Sequence, residues 1–292
     1  MSPQPGVVSV TSRVSNGAVG NSLIEAAFSR LAPHIPLATV DTVQWTAPGN
    51  HPRANGPIIT GRELFDMLRM LLDPPGQNGG GGRHLMTGYF RTAEQVAAVS
   101  AAIEESPPLL SLTIDPILGD NGNLYVEEST AEAIRDLILP RATYVLPNIT
   151  EASYLTSGSA VLSTPLIAFL SDLNNSMKRL GMDALKAVIL KSVPYSEKGV
   201  PEENGPRLGV RVIGAKCPDF HGQRLAEHFA GAGDLFCGAF VAALLSESEP
   251  DVVSAAEVAQ RETMRAIERL HVKRAIGLRE AFLQETKQLT SS

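Results

Sequence analysis

The chain has 292 residues, 43% of them hydrophobic and 19% charged, enough to bury one large core, so a single domain over residues 1–292 is expected. A formal charge of -6 leaves no basic footprint and argues against nucleic acid or an anionic membrane as partner. Two cysteines, Cys217 and Cys237, make neither a disulfide framework nor a cysteine-rich zinc site. Met1 to Gly6 lacks a basic segment leading into an apolar run, and no stretch reaches bilayer-spanning length, so a cytoplasmic protein is expected.

Val7 to Thr11 is a short β-branched run, and after Gly17 and Gly20 the segment Asn21 to Leu31 has helical periodicity. Leu37 to Val43 reads as a second strand, Gln44 to Thr60 as a long loop, and Gly61 to Leu72 as a helix. Asp73 to Arg83, with its Gly79 to Gly82 tract, reads as a flexible surface connection because no strand precedes it to make it a phosphate loop. The pattern then continues with a strand at His84 to Thr87, a helix at Ala93 to Glu105 and a strand at Leu109 to Ile114. A helix at Thr130 to Leu139, a strand at Ala142 to Leu146, a helix at Thr164 to Leu180 and a strand at Leu185 to Leu190 follow. Tyr195 to Pro206 is irregular, Leu208 to Ile213 an edge strand and Cys217 to Gln223 a loop; three helices centred near Phe240, Thr263 and Ala281 close the chain. Strands alternating with helices predict an α/β fold with a mostly parallel sheet covered on both faces. Ligands in such sheets gather at the carboxyl ends of strands, where Ser12, the Gln44 loop, Gly88-Tyr89, Asp115, Asn148 and Lys191 all fall.

The chemistry centres on Phe229 to Phe240. Gly231 and Gly233 allow a backbone path that side chains would obstruct, and a helix starting near Gly233 aims unpaired amides at one point. Negative charge on a transferred phosphoryl group is stabilised at such a point, and Asp234 can take a proton from a hydroxyl arriving there. An aspartate in a first helical turn also serves simply to complement the helix dipole. Asp115 and Asp120 in one loop, with Asn148 and Glu151 in the next, suit magnesium held against phosphates; alone, each reads equally as a turn or helix-start residue.

Ser12-Arg13-Val14-Ser15-Asn16-Gly17-Ala18-Val19-Gly20-Asn21, Thr42-Val43-Gln44-Trp45, Thr87-Gly88-Tyr89, Asp115 to Asp120, Leu124-Tyr125-Val126, Pro147-Asn148 with Glu151, and Gly231 to Phe236 resemble, in order, the successive signatures of pyridoxal kinases. The resemblance implies a three-layer α/β/α ribokinase-like fold and ATP-dependent phosphorylation of the 5′-hydroxymethyl of pyridoxal, with pyridoxine and pyridoxamine as further vitamin B6 substrates. It also implies a magnesium requirement, potassium stimulation and a homodimer. Carried over by position, Ser12, Val19, Val43, Trp45 and Tyr89 contact the substrate ring. Asp115, Asp120, Tyr125, Asn148, Glu151, Lys191 and Ser192 serve the nucleotide, with Asp115, Asp120 and Glu151 on the metal side. Asp234 deprotonates the hydroxyl, and the amides of Gly231, Ala232, Gly233 and Asp234 cradle the transferred group.

Three positions depart from the pattern. Gly49 stands where a threonine meets pyridoxal, Ala232 where a phosphate-contacting threonine is common, and Lys191-Ser192 where a threonine-serine pair is common. The lysine resembles that of hydroxymethylpyrimidine kinases of thiamine synthesis, although those usually carry cysteine at the Asp234 position. A pyrimidine kinase and a catalytically weak, kinase-like binding protein are therefore the two alternatives.

Overall fold

The structure, a computed structural model, describes residues 6–49, 51–73, 83–213, 220–223, 229–247, 249, 251–273 and 282. The strands are β1 (Val7–Val14), β2 (Leu37–Trp45), β3 (His84–Thr87), β4 (Ser111–Ile114), β5 (Gly119–Asp120), β6 (Asn123–Leu124), β7 (Tyr144–Val145), β8 (Ala187–Tyr195), β9 (Arg207–Ile213) and β10 (Phe220–Gln223). The α-helices are α1 (Asn21–Leu31), α2 (Gly61–Leu72), α3 (Ala93–Glu105), α4 (Glu128–Ala133), α5 (Ile149–Ser157), α6 (Leu166–Arg179), α7 (Ala232–Ser246) and α8 (Val252–Lys273). Eight strands form one sheet in the order β10-β9-β8-β7-β4-β3-β1-β2. From β2 to β8 every pairing is parallel; β9 and β10 add an antiparallel edge.

Alternation along the strands builds the two faces. Val8, Val10, Leu85, Val145, Val188 and Leu190 enter a core with α2 to α6, whereas Val7, Met86, Tyr144, Ala187 and Ile189 enter another with α1, α7 and α8. The result is the expected three-layer α/β/α architecture. Leu64, Leu68 and Leu72 of α2 share one buried stripe, and Thr60 and Glu63 close a reciprocal capping box at its start. The helix could begin nowhere better.

Several elements depart from the sequence reading. β1 and β2 run on to Val14 and Trp45, because Arg13 pairs with Gln44 and Val14 with Trp45 after a local irregularity. β8 continues through Lys191 to Tyr195, past a second irregularity between Leu190 and Val193. The Thr130–Leu139 helix is instead α4 followed by a π-helical turn at Ile134–Ile138 and a 3-10 turn at Leu139–Arg141. The short hairpin β5–β6 and helix α5 were not expected, and β10 occupies part of an expected loop. The Gly79–Gly82 tract, Cys217 and Ala281 lie outside the described residues. Among the described residues no helix is long and apolar enough to cross a membrane.

Candidate active site

The loop after β1, Asp115 at the end of β4 and Lys191 of β8 meet the start of α7, and close packing of glycines makes that meeting possible. Gly20 has φ +56, and a Cβ there would stand 1.9 Å from the Ser12 carbonyl oxygen. Gly231 has φ +87, and a Cβ there would stand 2.3 Å from the Ala18 carbonyl oxygen and 2.5 Å from Leu23 Cδ1. The loop after β1 is thereby pressed against the turn before α7. The Gly20 amide donates to the Asp234 carboxylate, which lies on the first turn of α7. Asn21 serves the scaffold: it accepts from Ser9 Oγ at 2.8 Å and donates to the Val40 carbonyl at 3.0 Å and to Asp41 Oδ1 at 2.7 Å.

Lys191 reaches the same place from β8. The irregularity after Leu190, with Ser192 at φ +54, sends the Lys191 side chain toward the α7 face. A non-glycine residue held in that conformation costs about 1–3 kcal/mol, which the surrounding strand must offset. Lys191 Nζ donates to Asp115 Oδ1 at 2.5 Å, both residues being buried. Nζ lies 3.5 Å, and Asp115 Oδ2 3.9 Å, from where a Cβ on Gly233 would stand. The missing side chain at Gly233 leaves the ammonium and the carboxylate facing the first turn of α7.

Burial governs the charges here. It pushes Asp234 up to about 6, with Asp115 adding to the rise and the Gly20 amide and Lys191 opposing it. It pushes Glu151 up to about 7 against the pull of Lys191 and of the Asn148 and Leu118 amides, with Asp115 again adding to the rise. Asp115 also lies above its ordinary value because burial outweighs Lys191. For Lys191, burial alone would lower the value, but Asp115 and Glu151 prevail and keep it protonated. Cys237, one turn beyond Asp234, is a buried thiol pushed well above its ordinary value and so supplies no thiolate.

The phosphate-side residues divide. Asn148 and Glu151 form a capping box at the start of α5, and Glu151 also accepts from the Leu118 amide at 3.1 Å. Asn148 Nδ2 donates to the Gly119 carbonyl at 2.8 Å, tying the β5–β6 hairpin to α5. Asp120 Oδ1 accepts from the Asn121 amide at 2.8 Å, as a turn residue does. Asp115, Asp120 and Glu151 do not gather as a three-carboxylate metal group among the described residues. What remains open is Asp115 Oδ2, a buried carboxylate oxygen with no hydrogen-bond partner. Tyr125 is more than half exposed and lies within electrostatic reach of Glu151, Asp115, Asp120 and Asp234. Ser192 is exposed beside Lys191.

On the other side, Trp45 and Tyr89 meet edge to face with ring centroids 6.1 Å apart. Two threonines that sequence reasoning passed over hold Tyr89: Thr11 Oγ1 accepts from its amide at 3.0 Å, and Thr42 Oγ1 donates to its carbonyl at 2.8 Å. Gly88 makes room, since a Cβ there would stand 2.5 Å from Thr11 Oγ1. Ser12 is buried with its Oγ beside Gly20, and Val19 is half-buried in the same loop. Val43, 1% exposed and bridged to Ile58, supports the wall from behind and offers almost no surface to a ligand. Gly49 lies against the indole, with its Cβ position 3.1 Å from Trp45 Cζ3. Thr46 Oγ1 donates to the Arg53 carbonyl within the same loop, and Asn50 lies outside the described residues.

Comparison with known proteins places these features in context. Residues 83–279 match the phosphomethylpyrimidine kinase family. A pyridoxal kinase of Dictyostelium discoideum is 32% identical over 157 residues, 52% of this chain and 50% of that protein. The chain thus spans about half the length of that relative. A pyridoxine/pyridoxal/pyridoxamine kinase of Bordetella avium is 28% identical over 247 residues, 82% of this chain and 77% of that protein. In fold, the chain is similar to the pyridoxal kinase of Leishmania donovani in complex with ADP and pyridoxine, with a TM-score of 0.74 at 21% identity over 98% of this chain and 95% of that one. It is similar also to Plasmodium falciparum PdxK with AMP-PNP and PL, with a TM-score of 0.75 at 19% identity over 99% of this chain and 96% of that one.

Proposed function

The chain belongs to the phosphomethylpyrimidine kinase family, and from that premise we propose that it transfers the γ-phosphoryl group of ATP to the 5′-hydroxymethyl of pyridoxal, giving pyridoxal 5′-phosphate and ADP. Pyridoxine and pyridoxamine are further acceptors in this reading, and the working form is a cytoplasmic homodimer of one ribokinase-like domain per chain. One observation carries it: the half-buried carboxylate of Asp234 is held by the Gly20 amide on the first turn of α7, between the loop after β1 and the Lys191–Asp115 pair.

Asp234 takes the proton of the vitamer hydroxyl as its oxygen attacks the γ-phosphorus, and the bond from phosphorus to the departing ADP oxygen breaks in line. With a value near 6, Asp234 is ionised at neutral pH yet basic enough to accept that proton. The amides of Gly231, Gly233 and Asp234 at the start of α7 meet the negative charge, whereas that of Ala232, expected to join them, already donates to the Phe229 carbonyl at 3.2 Å. Trp45 and Tyr89 flank the ring, with Ser12 and Val19 at its edge and Thr11 and Thr42 keeping Tyr89 in place. Tyr125 lies over the nucleotide, and Asn148 and Glu151 fix the loop that carries Asp115 and Asp120.

The donor set fits a divalent ion that keeps most of its waters: Asp115 Oδ2 has no hydrogen-bond partner, and among the described residues no three-carboxylate cage surrounds it. Magnesium held there with the nucleotide would neutralise charge on the β- and γ-phosphates.

A hydroxymethylpyrimidine acceptor is the second reading, favoured by the buried Lys191 and opposed by Asp234 at the position where those enzymes carry cysteine. ADP release with MgATP and each of pyridoxal, pyridoxine, pyridoxamine and hydroxymethylpyrimidine, with Asp234→Asn as control, separates the readings. Turnover on a vitamer, lost in the variant, supports the proposal; turnover on the pyrimidine alone transfers it. Folded, ATP-binding protein silent on all four would be a binding protein and not a kinase.

A further inference from the structure

Potassium stimulation is implied by the resemblance, but the residues around Asp115 do not fit a dissolved monovalent cation, because a cation of the chain already stands there. Lys191 Nζ is 2.5 Å from Asp115 Oδ1, and Lys191 is the one lysine or arginine buried among the described residues. A potassium ion beside it would meet a like charge in a buried site and would have to displace the ammonium from its carboxylate. The chain is built to hold the amine in place. The β8 irregularity falls at this residue, Ser192 carries the unusual backbone conformation next to it, and the Lys191 amide donates to the Pro147 carbonyl at 2.8 Å. On its far side the amine looks onto Gly233, with only 3.5 Å to the Cβ position that glycine leaves empty.

We infer that Lys191 is a tethered monovalent cation: its ammonium supplies from within the chain the single positive charge that faces Asp115 and the first turn of α7, so that phosphoryl transfer does not draw on potassium in solution. The inference deepens the kinase reading and rests on it. In this role Lys191 is a positioning residue. It fixes the Asp115 carboxylate and the charge of the pocket, and Asp234 remains the group that handles the proton.

The test compares the full chain with Lys191→Ala and Lys191→Met in potassium, ammonium and tetramethylammonium chloride at a fixed ionic strength of about 0.1 M. The wild-type rate with MgATP and pyridoxal should be the same within about twofold in all three salts. Lys191→Ala should be roughly tenfold to a hundredfold slower in tetramethylammonium, the loss of one hydrogen bond to a charged group, and should recover severalfold in potassium or ammonium, which fit the vacated space. Lys191→Met, whose neutral side chain fills that space, should stay slow in every salt. A second readout needs no turnover: the melting temperature of Lys191→Ala should rise with potassium or ammonium over tetramethylammonium, and that of the wild type should not. Wild-type stimulation by potassium of about tenfold or more, or Lys191→Ala showing the same rate and melting temperature in all three salts, would overturn the inference. If the wild type turns over no vitamer, the kinase reading fails while the melting comparison still judges the tethered cation.

Discussion

Asp234→Asn should make the protein more stable while removing its activity, and the structure sets the size of the gain. Burial moves the folded carboxyl from its ordinary 3.8 to about 6. Ionising it at neutral pH therefore costs the native state about 3 kcal/mol relative to the unfolded chain, at about 1.4 kcal/mol for each unit. The sign follows from proton binding. A folded value above the unfolded one favours the native state below pH 4, and that advantage is lost as pH rises through 6. Asparagine carries no charge to bury and can still accept from the Gly20 amide. The variant's excess stability should thus be near zero at pH 4, grow between 4 and 6, and level off at roughly 3 kcal/mol above that. Urea unfolding of both proteins at pH 4, 5, 6, 7 and 8 reads this directly, and turnover should fall by about a hundredfold or more with the loss of the base. A variant less stable than wild type at pH 8, or a stability gap independent of pH, would refute the argument.

The same carboxylate should set the acid limb of the rate. The kcat/KM for pyridoxal should fall as pH drops through about 6, where Asp234 becomes protonated, and a limb centred near 4 would show the base to be unburied or another group. Gly231→Ala should cost several kcal/mol, on the order expected of a strained φ together with a backbone clash, because its Cβ would overlap the Ala18 carbonyl and Leu23; a melting temperature within a degree or two of wild type would count against the interlock. Gly49→Thr tests a departure from the family pattern. Read from sequence, a restored threonine should lower the KM for pyridoxal, but its Cβ falls 3.1 Å from the indole of Trp45. The substitution should instead push the ring aside, visible as altered fluorescence of the only tryptophan in the chain, with a raised KM; unaltered fluorescence with a lowered KM would restore the sequence-based view.

Local signals carried most of the fold. α1, α2 and α3 begin and end where periodicity puts them, and Thr60 and Thr92 cap the starts of α2 and α3. What went unread depends on contacts between distant segments. Glu151 was open to reading as a helix-start residue, and with Asn148 it closes the capping box of α5; its further bond to the Leu118 amide joins that helix to the loop after β4. The apolar run that marks β8 stops at Leu190, but the strand resumes after its irregularity by pairing with β9. Lys191 stood out as a departure from a motif, whereas its partner Asp115 could be found only from the sheet order that brings β4, β7 and β8 side by side. Likewise nothing local marks Thr11 and Thr42 as the clamps on Tyr89, since one lies on each of two neighbouring strands. Val43 shows the opposite limit: its place in a motif suggested contact with a ligand, while alternation along β2 turned it inward.

The fit of Gly20 and Gly231 against the carbonyls of Ser12 and Ala18 has a consequence for how activity is acquired during folding. It joins the first strand and loop of the chain to a helix near its other end, so the base is in position only after a closure between distant parts of the chain has been made. A growing chain that has formed β1 to β8 would hold the Lys191–Asp115 pair and most of the sheet, yet would lack Asp234 altogether. Competence arrives late and all at once. On dilution from denaturant, recovery of turnover should therefore lag recovery of sheet and helix signal, and enzymatic activity becomes a clock for this late joining of the two ends of the fold.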